Sequence, residues 1–260
     1  MFRELGDRWG QLQATEWLGA RCEIVGDYEQ GRRLHTDGLR MAEELGLWPQ
    51  AADRLSWLGR IAMLSGDHGR ARELLEHAIR LAAEQTYKPG EVFAEISLGT
   101  LARREGKLDI AETHLRKVLE WHHQMGYAPD VAKAMVLAEL GFVAEQRGDP
   151  IAAQDFHLDG LAIARKLGDP RAVASALEGL AGAQALAGHH HRAAQLLGTA
   201  AATRQSAQAP LPPAERGDVD RICAAARAAL GEDTFDAQLR RGTEMQPDEA
   251  SLGHETTRRH

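Results

Sequence analysis

Histidine is the first place to look for chemistry in this chain, since twelve of its 260 residues are histidines. Two clusters stand out, His122-His123 and His189-His190-His191. A helix that chelates a metal places two ligands four residues apart on one face, whereas a contiguous triplet sends its side chains in different directions. The triplet reads as a solvated turn, with adventitious metal binding as the alternative, and no metal ligand or cofactor is assigned. His35 and His157 read as half-buried histidines, each with a hydrogen-bond partner. The two cysteines, Cys22 and Cys223, are far apart and form no CxxC, as expected of a reducing cytosol. Gly106-Lys107-Leu108 lacks the rest of a phosphate loop, and no GxGxxG, GxSxG or HExxH motif occurs. No catalytic residue is assigned, and the expectation is a protein that is not an enzyme.

Charge narrows the partners. The formal net charge is −7 with no long basic run, which disfavours direct binding to nucleic acid. The opening MFRELGDRWG carries charge where a signal peptide would be apolar, and no run of about 18 apolar residues exists. A cytoplasmic location without membrane contact follows as the expectation.

The elements that must position any site show in the glycines. Gly19, Gly59, Gly99 and Gly141 each follow a leucine, and Ala181 takes the fifth place. Seven residues further stand Gly26, Gly66, Gly106, Gly148 and Gly188. The spacing is 40 residues, with two extra residues before Gly141, where one helix is expected to start with an additional half turn. A fixed period of this kind means one helical unit stacked on copies of itself. Small residues at Gly31, Ala71, Ala111, Ala153 and Ala193 open a second helical face that continues at Gly38, Ala78, Val118, Gly160 and Ala200. His35, Leu75, Leu115, His157 and Leu197 fall between them. At the Gly-Asp corners glycine closes the first helix and aspartate caps the second. A further set, Leu5-Gly6, Leu45-Gly46, Met125-Gly126 and Leu167-Gly168, with Thr86 in the third place, connects one pair to the next. The expected fold is an all-α, right-handed solenoid of about five antiparallel helix pairs. Residues 1–10 would end a preceding half repeat, 11–205 hold the five repeats, 206–243 form capping helices and 244–260 a disordered tail. The caps are expected over 213–230, with Val219, Ile222, Cys223, Ala226 and Leu230 on one face, and over 232–242, with Phe235 and Leu239 inward.

Paired helices with Leu-Gly in the first, Gly-Asp at the turn and alanines down the second resemble the tetratricopeptide repeat (TPR), in a version longer than its usual period of about 34 residues. The long form is similar to the sensor region of large bacterial regulators that join a DNA-binding domain and a nucleotide-switch ATPase to a repeat array. The opening Phe2–Gly10 and the tail Leu211-Pro212-Pro213-Ala214-Glu215-Arg216 resemble parts of actinobacterial-type members. Neither an ATPase nor a DNA-binding motif is present in this chain.

The resemblance implies that the first helices line a concave, partner-binding face. Its stripe comprises Glu16, Ala20 and Glu23; Ser56, Arg60 and Met63; Ile96, Thr100 and Arg103; Ala138, Phe142 and Glu145; then Glu178, Gly182 and Ala185. Acidic ends flank a basic middle at Arg60, Arg103 and Arg104. Such a face either clamps an extended peptide or small acidic ligand through bidentate arginines, or merely solvates an open surface. Trp17 and Trp57 occupy equivalent sites 40 residues apart and would meet in a shared wall, as packing or as part of a ligand site. The implied function is a protein- or peptide-binding module of a bacterial regulatory system. A small-molecule sensor and an accessory protein of a biosynthetic pathway are the alternatives; the open N-terminal end would either be covered by another copy through self-association or belong to a longer chain.

Overall fold

The computed structural model describes residues 6–125 and 130–247. Among these residues there are twelve α-helices, one short 3-10 turn and no strand. Ten helices form pairs: α1 (Arg8–Val25) with α2 (Tyr28–Glu44), α3 (Trp48–Leu64) with α4 (His68–Glu84), and α5 (Lys88–Arg104) with α6 (Leu108–Met125). The remaining pairs are α7 (Asp130–Gln146) with α8 (Pro150–Leu167) and α9 (Pro170–Leu186) with α10 (His190–Ser206). This is the expected all-α helical-repeat solenoid.

The corners explain the punctuation of the sequence. Gly26, Gly66, Gly106, Gly148 and Gly188 all adopt left-handed φ values between 74° and 84°. At the first corner the Gly26 amide donates to the Glu23 carbonyl and the Asp27 amide to that of Cys22, satisfying carbonyls the helix leaves open. The Asp27 side chain then accepts from the Gln30 amide to start α2, as Asp67 and Asp149 do for α4 and α8. Asp7 and Asp169 cap α1 and α9 in the same way. Between pairs the left-handed position is Gly6, Gly46 or Gly168, and Thr86 adopts it too, at φ 50°. Gln208, at φ 51°, closes α10 as the fifth member of this series. Gly126 and residues 1–5 lie outside the described residues. Arg8–Gly10, expected to end a preceding half repeat, instead open α1.

Gly19, Gly59, Gly99, Gly141 and Ala181 each stand at the twelfth residue of their helices. The described part of α7 runs from Asp130 to Gln146, and the expected extra half turn before it falls on 126–129, outside the described residues. The leucine or histidine of the second helix fills the space each glycine leaves. A Cβ on Gly59 would lie 2.6 Å from Leu75 Cγ, and one on Gly141 would lie 2.4 Å from His157 Nε2.

The chain divides into two compact units. The first holds residues up to Val118 together with Pro212–Ala214. Its layers follow the chain, α1 on α2, α2 on α3, α3 on α4 and α5. Leu55, Leu58, Leu74, Ala78 and Ala94 form one of its cores. The second unit holds Leu119–Leu211 and the residues from Glu215 onward. Here α7 to α10 pack in sequence, and α11 (Gly217–Leu230) and α12 (Glu232–Thr243) cover the last pair. Ile222, Ala226 and Phe235 are buried in that core, with Val219, Cys223, Leu230 and Leu239 packed against it, on the expected faces. The first capping helix starts later than 213, after a 3-10 turn over Pro213–Glu215. Close approach sets the seat of α12: a Cβ on Gly198 would lie 2.1 Å from the Leu239 carbonyl oxygen. The expected tail opens with a turn in which the Glu244 and Met245 amides donate to Arg241 and Gly242. Met245 packs on the core, and residues 248–260 lie outside the described residues.

Candidate functional site

Nine of the twelve candidate residues lie in the first unit, and most of them are already engaged. Arg60 grips Glu23 with a fork, Nη2 to Oε1 at 2.6 Å and Nε to Oε2 at 3.3 Å, tying α3 to α1. Glu23 is 5% exposed. The same guanidinium lies 6.0 Å from the Trp57 ring centroid and 5.8 Å from that of Phe93. Trp57 stacks on His35 with ring centroids 5.4 Å apart and planes 3° apart. Its tryptophan counterpart, Trp17, is 74% exposed, so the wall around Trp57 is built from His35, Phe93 and Arg60.

Three candidates are interior residues rather than surface. Met63 belongs to a core with Ala71, Leu75, Leu98 and Leu101. Thr100 is buried, with its hydroxyl donating to the Ile96 carbonyl, and Arg103 is buried as well. Arg104, one residue on, is half-buried and reaches main chain: its Nη1 donates to the Ala214 carbonyl at 3.2 Å.

Glu16 pairs with an arginine outside the candidate stripe. Arg54 has no exposed surface, and its Nη2 donates to Glu16 Oε2 at 2.8 Å. Its Nε and Nη1 have no hydrogen-bond partner. A Cβ on Gly38 would lie 2.9 Å from Arg54 Nε, so that glycine makes room for the buried guanidinium. Beside it, the Tyr87 hydroxyl donates to Asp53 Oδ2 at 3.0 Å. Burial pushes the Asp53 carboxyl up to about 6, with the Glu16 charge adding to the rise and the Tyr87 bond and Arg54 opposing it. Glu95, also buried, carries its charge on α5 beside α6. Burial raises its pKa, but His114 Nδ1 at 2.6 Å and Lys117 Nζ at 2.5 Å outweigh that and leave it lowered.

The histidines of the second helices are buried more deeply than expected, and His35 lacks the expected hydrogen bond. His35 is fully buried, and neither of its ring nitrogens has a hydrogen-bond partner. Burial, then the Arg54 charge, push its pKa down to about 4, against a rise from Glu23. His157 is equally buried and meets the edge of Phe142 with centroids 4.9 Å apart. His189 stands at the N-cap of α10 without a side-chain capping bond, its Nδ1 instead 3.0 Å from Gln184 Oε1 of α9. Among the described residues no group of three His, Cys, Asp or Glu side chains is placed to hold a metal ion.

The other candidates, Phe142, Glu145 and Glu178, lie in the second unit. Glu145 stands where Glu23 stands in the first repeat, and Gly182 where Arg60 stands in the second. A Cβ on Gly182 would lie 2.6 Å from Glu145 Oε2, so the next repeat leaves the space open. The guanidinium comes from α11 instead, with Arg221 Nη1 2.5 Å from Glu145 Oε1. Glu178 is buried and takes a fork from Arg204 of its own repeat, at 2.6 and 2.8 Å. Gly179, equivalent to Trp57, lets His157 approach: a Cβ there would lie 2.1 Å from His157 Cε1.

A model of the tetratricopeptide-repeat family matches residues 51–121, from α3 to α6. No curated protein matches the sequence. The fold is similar to the crystal structure of BtubC (BKLC) from P. vanneervenii, at 21% identity over 81% of this chain and 93% of that one, with a TM-score of 0.55. It is also similar to a Podosopora anserina putative kinesin light chain with nearly identical TPR-like repeats. That likeness has 18% identity, a TM-score of 0.50 and coverage of 76% of this chain and 97% of that one. At such identities the likeness is one of fold. Fold and family match together define the class, a TPR-like helical-repeat solenoid, and the TPR fold points to a protein–protein interaction module. Among the described residues no helix is long and apolar enough to cross a membrane.

Proposed function

We propose that the chain is a non-catalytic interaction module of a cytoplasmic bacterial regulatory system, and that its first unit binds an extended segment of a protein partner. One observation carries this reading. Arg104, in the basic middle of the stripe, holds the main-chain carbonyl of Ala214, which is how a clamp grips peptide backbone without regard to side chain. Arg60 and Trp57 flank the same row of helices and supply charge and aromatic surface. A small acidic ligand fits less well, because it would have to displace Glu23 from Arg60 at 2.6 Å. The carboxylates of the stripe act structurally here, since Glu16, Glu23, Glu145 and Glu178 each form an ion pair. The regulatory setting rests on the resemblance of the opening segment and of Leu211–Arg216 to parts of bacterial regulators.

Peptides selected by display against the full chain test the reading. Arg60→Glu and Arg104→Glu, on side chains that are not fully buried, should each weaken the selected peptides by roughly tenfold or more, as loss of a charged hydrogen bond would. Equal binding by wild type and both variants would overturn the assignment of this face.

A further inference from the structure

Pro212, Pro213 and Ala214 come after the last helix pair in sequence, yet by contact they belong to the first unit. Pro212 is buried. Its ring lies on the corner that closes α1, where a Cβ on Gly26 would be 3.3 Å from Pro212 Cβ. A Cβ at the equivalent corners, Gly66, Gly106, Gly148 and Gly188, would meet nothing within 4 Å among the described residues, so within these residues the contact is particular to the first repeat. Two residues further along, Arg104 at the end of α5 binds the Ala214 carbonyl. The segment, which enters the 3-10 turn at Pro213, thus touches the corner after the first repeat's leading helix and the last turn of the third repeat's.

Its chemistry is that of a ligand. Proline holds φ near −65°, so a Pro-Pro pair has little backbone freedom to lose on binding. Neither proline has an amide proton, so recognition falls to the ring face and the carbonyls. The site has the bare backbone of a glycine at the Pro212 ring and a guanidinium at the carbonyl of Ala214, the residue that follows the pair. Arg104 is a residue the stripe itself nominated for partner binding.

We propose that Pro212–Ala214 is a built-in ligand: it occupies the surface on which the first unit takes a proline-containing segment of a partner, which must displace it to bind. The inference rests on the reading of this face as peptide-binding. A tethered segment competes at an effective concentration on the order of millimolar, so it screens out weak ligands and admits only a partner that binds better.

The probe is a fluorescent peptide with the sequence of residues 208–216, added to the full chain and followed by anisotropy. Wild type should bind it weakly. Pro212→Gly with Pro213→Gly should bind it at least tenfold more tightly, and adding Arg104→Ala should abolish the gain. No gain in a variant whose circular dichroism matches wild type would overturn the proposal. If the double variant fails to fold, hydrogen exchange on wild type decides. Excess unlabelled peptide should raise deuterium uptake at the Leu211, Ala214 and Glu215 amides, and unchanged uptake overturns the built-in ligand. The two readings fail separately. Selected peptides that depend on Arg60 but bind no better to the loosened variant would sink the built-in ligand and leave the module standing. Tighter binding of the 208–216 peptide by the loosened variant, with no partner peptide sensitive to Arg60→Glu, would support the built-in ligand and sink the wider reading.

Discussion

His35 fills a slot that leucine fills in three of the five repeats, and that exchange makes stability depend on pH. Its folded pKa of about 4 lies below the ordinary value of 6.5, so the ring stays neutral in the folded chain while the unfolded chain takes up a proton. Stability from this group is present above pH 6.5 and is lost as pH falls towards 4, by about 3 kcal/mol in all. Asp53 has the opposite sign. Its folded pKa of about 6 exceeds 3.8, so its contribution is present below pH 3.8 and is lost as pH rises through 6. The two nearly cancel between pH 4 and 6. His35→Leu should therefore gain about 3 kcal/mol relative to wild type between pH 7 and pH 4, and Asp53→Asn should lose a similar amount over that range. Urea denaturation at both pH values measures this, and parallel pH profiles for wild type and variants would refute it.

The stripe's buried carboxylates, Glu23, Glu145 and Glu178, are each matched by a guanidinium, and the donor's address differs from place to place. In the first unit the next repeat supplies it, as Arg60 does for Glu23. In the second, Gly182 leaves the space and α11 supplies Arg221 to Glu145. Arg221→Ala leaves a buried carboxylate without that partner and should cost about 1–3 kcal/mol. Adding Gly182→Arg should recover part of that loss by recreating the arrangement of Arg60 with Glu23. Chemical denaturation of the single and double variants gives the coupling, and a double variant less stable than Arg221→Ala would show that the two pairs are not interchangeable.

At the scale of the whole molecule, a repeat array exposes apolar surface at its ends unless something covers them. The last pair is covered by α11 and α12, and the seat of α12 depends on backbone meeting backbone. A Cβ on Gly242 would lie 2.0 Å from the Gln195 carbonyl oxygen, an atom that cannot swing aside. The Thr199 hydroxyl donates to the Gly242 carbonyl at 2.8 Å, on the same crossing. Gly242→Ala should lift α12, destabilise the second unit by about 1–3 kcal/mol and open residues 231–243 to proteolysis. A digestion pattern and melting curve identical to wild type would contradict that seat.

The helix pairs were legible in the sequence because their signals are local. A left-handed corner needs glycine, a cap needs aspartate, and the turn follows within four residues of either. Thr86 and Gln208 show the limit of that reading, since hydrogen bonds of the same closing turn hold them at positive φ without glycine's chemical signal. The faces of Ile222, Ala226 and Phe235 were legible for the same reason, as helical spacing marks a buried side wherever the helix docks. What carried no such mark was the pairing of charges. Arg60 and Glu23 stand on one stripe in sequence, but whether an arginine faces solvent or a neighbouring carboxylate depends on the distance between helices from different repeats. Arg54 was missed on that account, although Gly38, where three of the other four repeats carry alanine or valine, was its trace. Nor does any period place Pro212–Ala214 against Gly26 and Arg104. That contact joins residues more than a hundred positions apart. Local stereochemistry determined the repeats, and only the tertiary packing decided which of their charges and surfaces were already taken.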